Sequence, residues 1–239
     1  MRLHRFFVDQ NIGAQTELSI NSAELVNQVR RVFRLKKGDS VVVFDGSGSD
    51  YECRIEGFGE HPESVTLAVV SSERSRYVPA RDLYLYAAVV KKDTFEWIVE
   101  KATELGVTHI IPVMAERSEK KSLNEARLRK IAVEASEQSG RGSVPTIMAI
   151  EPVLEAINGL KEKKISSVAF HTDGNGFNFS DGLGDEPLAV FIGPEGGWSE
   201  DELDLFHKNK IPVVCLGPQV LRAETAVIAA LSQVVFIDR

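Results

Sequence analysis

The chain is predicted to be an α/β protein from three features: a strand-rich first seventy residues, a lapse of the apolar pattern around Ser71 to Arg81, and strand–helix alternation from Asp82 onward. Alternation of that kind means a parallel sheet covered by helices. The lapse is charged and contains Pro79, as a linker does. It divides the chain into a small β module, 1–72, and an α/β domain, 73–239. At 239 residues and 43% hydrophobic content, composition alone allows one domain or two.

In the β module, Asn21 with Glu24 three residues on resembles a capping box, and Leu25, Val26, Val29, Val32 and Phe33 recur at helical spacing. This predicts a helix over 22–33. Segments 41–44 and 51–55 read as strands paired across Gly46-Ser47-Gly48-Ser49-Asp50, and 64–70 as another strand. Gly46 and Gly48 fit hairpin chemistry better than a dinucleotide fingerprint, because Tyr51 stands where the third glycine belongs.

In the α/β part, 82–90 is a strand. Asp93 then caps a helix with Glu96 at the third position, apolar Phe95, Ile98, Val99, Ala102 and Leu105, and Gly106 as its stop. Strands follow at 109–113, 146–150, 168–171, 188–192 and 213–216. Helices fall at 125–138, 153–160, 200–209 and 224–236. No internal repeat or low-complexity segment is present.

No stretch approaches the roughly eighteen consecutive apolar residues of a membrane span, and the start lacks a signal-peptide core, so a cytoplasmic location without membrane contact is expected. Cys53 and Cys215 stand far apart with no metal-ligand spacing, which argues against zinc and against a disulfide framework; both read as small hydrophobes, Cys215 in a buried strand. The net charge of -7 speaks against a nucleic-acid partner. Locally the balance reverses, since Arg30, Arg31, Arg34, Lys36 and Lys37 form an acid-free basic run. On charge alone the run reads as a solvated helix end; an RNA contact is the sharper alternative.

In open α/β sheets, ligands bind beyond the carboxyl ends of the strands. Three unusual loops leave such ends: His171-Thr172-Asp173-Gly174-Asn175-Gly176, Gly193-Pro194-Glu195-Gly196-Gly197-Trp198 and Gly217-Pro218-Gln219-Val220-Leu221-Arg222. They are expected to converge on one site, where glycine lets a flat ligand approach the backbone. Singly, each reads as an ordinary turn, with Ser199 and Glu202 a capping box. The lysine and hydroxyl of a P-loop are missing.

These residues together resemble the ribosomal RNA small subunit methyltransferase E family, of the SPOUT class. The likeness covers nearly the whole chain. It rests on His4-Arg5-Phe6-Phe7, Val32-Phe33-Arg34 with Gly38-Asp39, Phe44-Asp45-Gly46, Lys101-Ala102-Thr103-Glu104-Leu105-Gly106, Gln138-Ser139-Gly140-Arg141, Ile192-Gly193-Pro194-Glu195-Gly196-Gly197, and Leu216-Gly217 leading to Leu221-Arg222-Ala223-Glu224-Thr225-Ala226. Ser139 is a departure, since many members carry cysteine there. The resemblance implies a PUA-like β-barrel module, a C-terminal SPOUT domain with a trefoil knot, S-adenosylmethionine as cofactor, a homodimer, no metal, and methylation of uridine N3 in 16S ribosomal RNA within the small ribosomal subunit. The pattern of the chain itself predicts only a doubly wound sheet.

On that reading His171, Thr172, Ile192, Gly193, Glu195, Gly197, Leu216, Gly217, Leu221 and Thr225 hold the cofactor. RNA falls to His4, Arg5, Arg30, Arg31, Arg34, Lys36 and Lys37. Uracil N3 is a weak nucleophile while protonated, so a base or an anion-stabilising cation is needed. Arg222 and Arg141 are the candidate cations, and Glu224 or Glu195 the candidate proton acceptor; both glutamates also suit a helix start. Phe6, Phe7 and Phe44 read as core. Two rivals remain: a non-catalytic RNA-binding module, which leaves the three loops unexplained, and a nucleotide-dependent phosphotransferase, which lacks its lysine and metal carboxylates.

Overall fold

Alternating burial builds the first sheet. Leu18 and Ile20, Val41 and Val43, Tyr51, Cys53 and Ile55, and Val65 and Leu67 all turn to one face and share a core with Phe6, Val8, Ile12, Leu25, Val26 and Val29. The computed structural model describes residues 3–60, 63–119, 122–176 and 186–236. By contacts the chain divides into two units, Met1–Val78 with Ser136–Val144, and Pro79–Ala135 with Pro145–Arg239. The expected division at 72/73 falls inside a strand, and the return of Ser136–Val144 to the first unit has no counterpart in the sequence pattern.

The first unit holds β1 (Arg5–Phe7), β2 (Glu17–Ile20), β3 (Ser40–Phe44), β4 (Ser49–Glu60) and β5 (Glu63–Arg74), in the order β1-β3-β4-β5-β2. β1 lies parallel to β3 and the other pairs are antiparallel. The β4–β5 hairpin is longer than its apolar pattern because both strands keep pairing past the core, where their side chains are exposed. The helix begins at α1 (Ala23–Val26), capped by Ser22 rather than Asn21: Ser22 Oγ accepts from Leu25 N at 3.2 Å. It continues over Asn27–Val32 as wider π-helical turns, with Phe33 N donating to Gln28 O at 3.0 Å. The wider turn carries Val32 and Phe33 off the core face, so both expected apolar positions are exposed. The returning segment is held by Glu137, whose Oε1 accepts from Phe7 N at 2.9 Å and whose Oε2 accepts from Gln28 Nε2 at 3.3 Å.

The second unit holds β6 (Leu83–Ala88), β7 (His109–Met114), β8 (Thr146–Ile147), β9 (Glu151–Pro152), β10 (Ser166–Gly176), β11 (Leu188–Ile192) and β12 (Val213–Cys215). They pair in parallel in the order β12-β10-β11-β6-β7-β8, with β9 also on β7. Of the strand expected at 146–150, only Thr146–Ile147 pairs, and the second short pairing on β7 follows at 151–152. The helices are α2 (Lys92–Glu104), α3 (Glu125–Ser139), α4 (Val153–Lys163), α5 (Glu200–Lys208) and α6 (Ala223–Phe236); the last turn of α3 counts with the first unit. Helix α2 starts after Lys91, which makes no side-chain cap, so Asp93 lies in the first turn and meets the positive end of the dipole instead. Every residue of β11 is buried, as two covered faces require.

Cys53 is buried, which pushes its thiol up to about 12 and makes it inert. Cys215 is only half-buried, because β12 is the edge of the sheet. Among the described residues no helix is long and apolar enough to cross a membrane.

Candidate functional site

Strand β10 breaks its own register. Phe170 and Asn175 both pair with Val214, so the residues between them bulge out of the ladder with β12 although β10 runs on to Gly176. Strand β11 ends beside them at Ile192 and gives way to the glycine loop. Trp198 is buried beneath that loop and donates from Nε1 to Phe170 O at 3.0 Å, tying the two exits together. Gly197 N closes a turn on Pro194 O at 2.8 Å. Gly197 itself has φ +70, and a Cβ there would stand 3.3 Å from His171 Nε2. Only glycine meets both conditions without strain. His171 Nδ1 accepts from Asp173 N at 3.1 Å, so a neutral ring carries its proton on Nε2, toward Gly197.

Together the three loops enclose a cavity of about 280 Å³ in the second unit. Of the expected cofactor residues, His171, Thr172, Ile192, Gly193, Glu195, Gly197, Leu216, Gly217 and Leu221 line it. Thr225 does not. On α6 the positions facing the cavity are Ala223 and Ala226, three apart on one face, and Thr225 is turned outward and exposed. The sequence pattern also passes over Arg117, which lines the cavity from the turn after β7. Among the described residues no group of three or more His, Cys, Asp or Glu is placed to hold a metal ion.

Of the candidate chemical residues, Arg222 and Glu224 belong to the second unit and Arg141 to the first. Arg222 is exposed at the start of α6, where its carbonyl accepts from Ala226 N at 2.8 Å. Glu224 lies in the first turn, and its Oε2 is buried with no hydrogen-bond partner among the described residues. Arg141 belongs to the first unit and is 4% exposed; burial pushes its guanidinium down to about 10. Its carbonyl accepts from Arg5 Nη2 at 3.3 Å.

In the first unit a second hollow, about 320 Å³, is lined by Arg30, Arg34, Leu35, Lys36, Lys37 and Phe58. The Arg30 guanidinium lies 5.7 Å above the Phe58 ring. Arg31 is outside it, 3.8 Å from Glu63. His4 packs on Phe33 with ring centroids 4.1 Å apart. Arg5 is engaged internally, donating from Nη2 to Asp50 Oδ1 at 2.9 Å with its side chain 10% exposed, so it offers little to RNA. Phe6 and Phe44 are fully buried and Phe7 partly so.

Comparison with known families gives this architecture its class. The model of the RNA methyltransferase domain family matches residues 78–235, and that of the RNA methyltransferase PUA domain matches 29–67. Such a pairing defines an RNA methyltransferase with a PUA module ahead of its SPOUT-type α/β domain. The ribosomal RNA small subunit methyltransferase E of Rickettsia conorii is 30% identical, with 98% of this chain and 96% of that protein covered. The corresponding Bacillus subtilis protein is 29% identical over 97% and 96%. The chain belongs to the ribosomal RNA small subunit methyltransferase E family. A crystal structure of that enzyme from Neisseria gonorrhoeae, bound to S-adenosyl methionine, superposes with a TM-score of 0.87 at 25% identity, covering 97% of this chain and 96% of that one. A methyltransferase from Legionella pneumophila, solved with the same cofactor, gives 0.87 at 26% identity over the same shares.

Proposed function

We propose that the protein methylates N3 of a uridine in 16S ribosomal RNA of the small subunit, with S-adenosylmethionine as methyl donor. The observation that carries this reading is the cavity at the ends of β10, β11 and β12. Its walls suit an adenosine: Ile192, Leu216 and Leu221 offer apolar contact, and the glycine loops offer backbone polar groups at close range. Asp173 and Glu195 place negative charge at the lining, where a sulfonium is favoured. When bound, S-adenosylmethionine supplies an electrophilic methyl group for in-line displacement.

The chain's own residues then have to align the uracil and stabilise charge as its N3 proton leaves. Arg222, exposed beside the lining residues Leu221 and Ala223, is the cation assigned to the uracil carbonyl oxygens. Glu224, with a buried oxygen that no described residue satisfies, is assigned to proton acceptance or orientation. Arg141 is too deeply buried for that work and is read as a structural cation of the first unit. Arg30, Arg34, Lys36 and Lys37 carry the RNA phosphates.

A homodimer is supported by α6, which has Val227, Ala230, Leu231 and Val234 buried while Ile228, Ala229 and Val235 remain part-exposed and Phe236 is exposed. Apolar side chains left in water on a mostly apolar helix call for cover. A cytoplasmic location follows from the proposed substrate.

The test is calorimetry with S-adenosylmethionine and with ATP, followed by single-turnover methylation of small ribosomal subunits and mass analysis of the product nucleoside. Binding of the first ligand alone and formation of 3-methyluridine are expected. Preference for ATP would transfer the cavity to a phosphotransferase, and absence of binding to either would leave an RNA-binding module.

A further inference from the structure

We infer that Arg117 forms a carboxylate subsite in the cavity and takes the α-carboxylate at the amino-acid end of the cofactor; this rests on the S-adenosylmethionine reading above. The residue is held from both sides. In the turn that follows β7, Ala115 N donates to Ser118 Oγ at 3.2 Å, and Glu116 N donates to Glu202 Oε1 at 2.9 Å. Glu202 is the buried capping-box carboxylate of α5, whose Oε2 accepts from Ser199 N at 2.8 Å. One carboxylate therefore fixes the β7 turn and the exit of the glycine loop together.

The side chain is held as well. Its stem lies against Gly196, where an added Cβ would stand 3.2 Å from Arg117 Cδ and 3.3 Å from its Cβ. Arg117 Nη1 donates to Gly196 O at 2.7 Å and to Trp198 O at 3.4 Å. With Nη1 committed, Nε and Nη2 have a set orientation and make no hydrogen bond among the described residues. A guanidinium fixed in this way loses little freedom when it takes an anion.

Charge selects the ligand. Arg117 is the one arginine or lysine among the described lining residues, and Asp173 and Glu195 are the carboxylates. The amino-acid end of S-adenosylmethionine carries the inverse set, a sulfonium and an ammonium with one carboxylate. Two acids and one forked cation complement it, and the fork suits a carboxylate in two-point contact.

The test is a binding cycle by calorimetry. S-adenosylmethionine and its decarboxylated form are each titrated into the wild-type protein and into Arg117→Gln. The wild type is expected to bind the decarboxylated compound at least about tenfold more weakly. Arg117→Gln is expected to bind the two with similar affinity. An equal ratio in both proteins overturns the subsite and leaves Arg117 as a brace for the loop. An equal ratio accompanied by weaker RNA binding overturns it in favour of an RNA phosphate. Should Arg117→Gln fail to fold, the wild type decides alone, since equal affinity for the two compounds overturns the inference. A wild-type protein that binds neither compound removes the cofactor reading itself, which is a different failure.

Discussion

Two hollows, one in each unit, are similar in volume, about 280 and about 320 Å³, and opposite in construction. The cavity of the second unit is walled by glycine-loop backbone and apolar side chains, with only Arg117, Asp173 and Glu195 charged among the described lining residues, and it is fixed by Trp198, by the Gly197 turn and by the Glu202 cap. The hollow of the first unit is walled by long cations over one aromatic ring. A wall of backbone and apolar groups, with a few charges among them, selects the adenosine by shape, and salt affects it far less than it affects a wall of long cations. A wall of cations selects by charge and weakens as salt rises. Ligand class can thus be read from what a hollow is made of when its size says nothing.

The largest expected effect also strains this contrast most, because it places a charge beside the shape-selecting cavity. Arg222→Ala is predicted to lower single-turnover methylation of small ribosomal subunits by about 10²–10³-fold, the scale of a lost anion-stabilising donor. Cofactor affinity, checked by calorimetry, should stay within about twofold. The defect should shrink at a pH that ionises free uridine, since the anion then forms without help. A pH-independent loss, or full recovery at saturating RNA, would reduce Arg222 to a substrate-positioning role.

Next comes Gly197→Val, which tests shape selection directly. A side chain at φ +70 costs about 1–2 kcal/mol, and its Cβ crowds His171, for which overpacking adds about 1–3 kcal/mol. S-adenosylmethionine binding is predicted to weaken by about 100-fold or more, equally at low and high salt. A folded variant with unchanged affinity would take this loop out of the site.

The charge-built hollow should answer in a different variable. Arg34→Ala with Lys36→Ala is predicted to flatten the slope of log K for RNA against log salt by about 1.5, at roughly 0.7–0.9 for each phosphate no longer neutralised. Cofactor binding should not change. The smallest effect belongs to Arg31→Ala, whose guanidinium is paired with Glu63 and stands outside the hollow. A slope change equal to that of Arg34→Ala alone would mean that the basic run acts as a diffuse face and that the hollow has no special part in it.

The sequence exposes one of these regions far better than the other. Glycine and proline after strand ends mark loops whatever the tertiary context, so the walls of the cavity are legible down to Gly193, Gly197 and Gly217. Arg117 is not. It lies in Ala115-Glu116-Arg117-Ser118-Glu119, which reads as a solvated turn, and its importance comes from a contact with Gly196, distant in sequence. Thr225 falls outside the lining because one residue of helix phase separates it from Ala226, which spacing in a loop-to-helix junction does not resolve. In the first unit, hydrophobic spacing announces a helix at 22–33 but cannot reveal its π-helical turns, which move Val32 and Phe33 to the surface. Arg5 counts as a free cation in the sequence because its partner Asp50 is forty-five residues away.

The return of Ser136–Val144 to the first unit also sets an order of events on the ribosome. When residue 78 has emerged, the first sheet is complete in sequence, but Phe7 N still lacks Glu137 and Arg5 Nη2 still lacks the Arg141 carbonyl. Those partners come only after residues 79–135 have been made, on the order of several seconds later at about 5–20 residues per second. The module that leaves the ribosome first therefore lacks these tethers until part of the second has been synthesised.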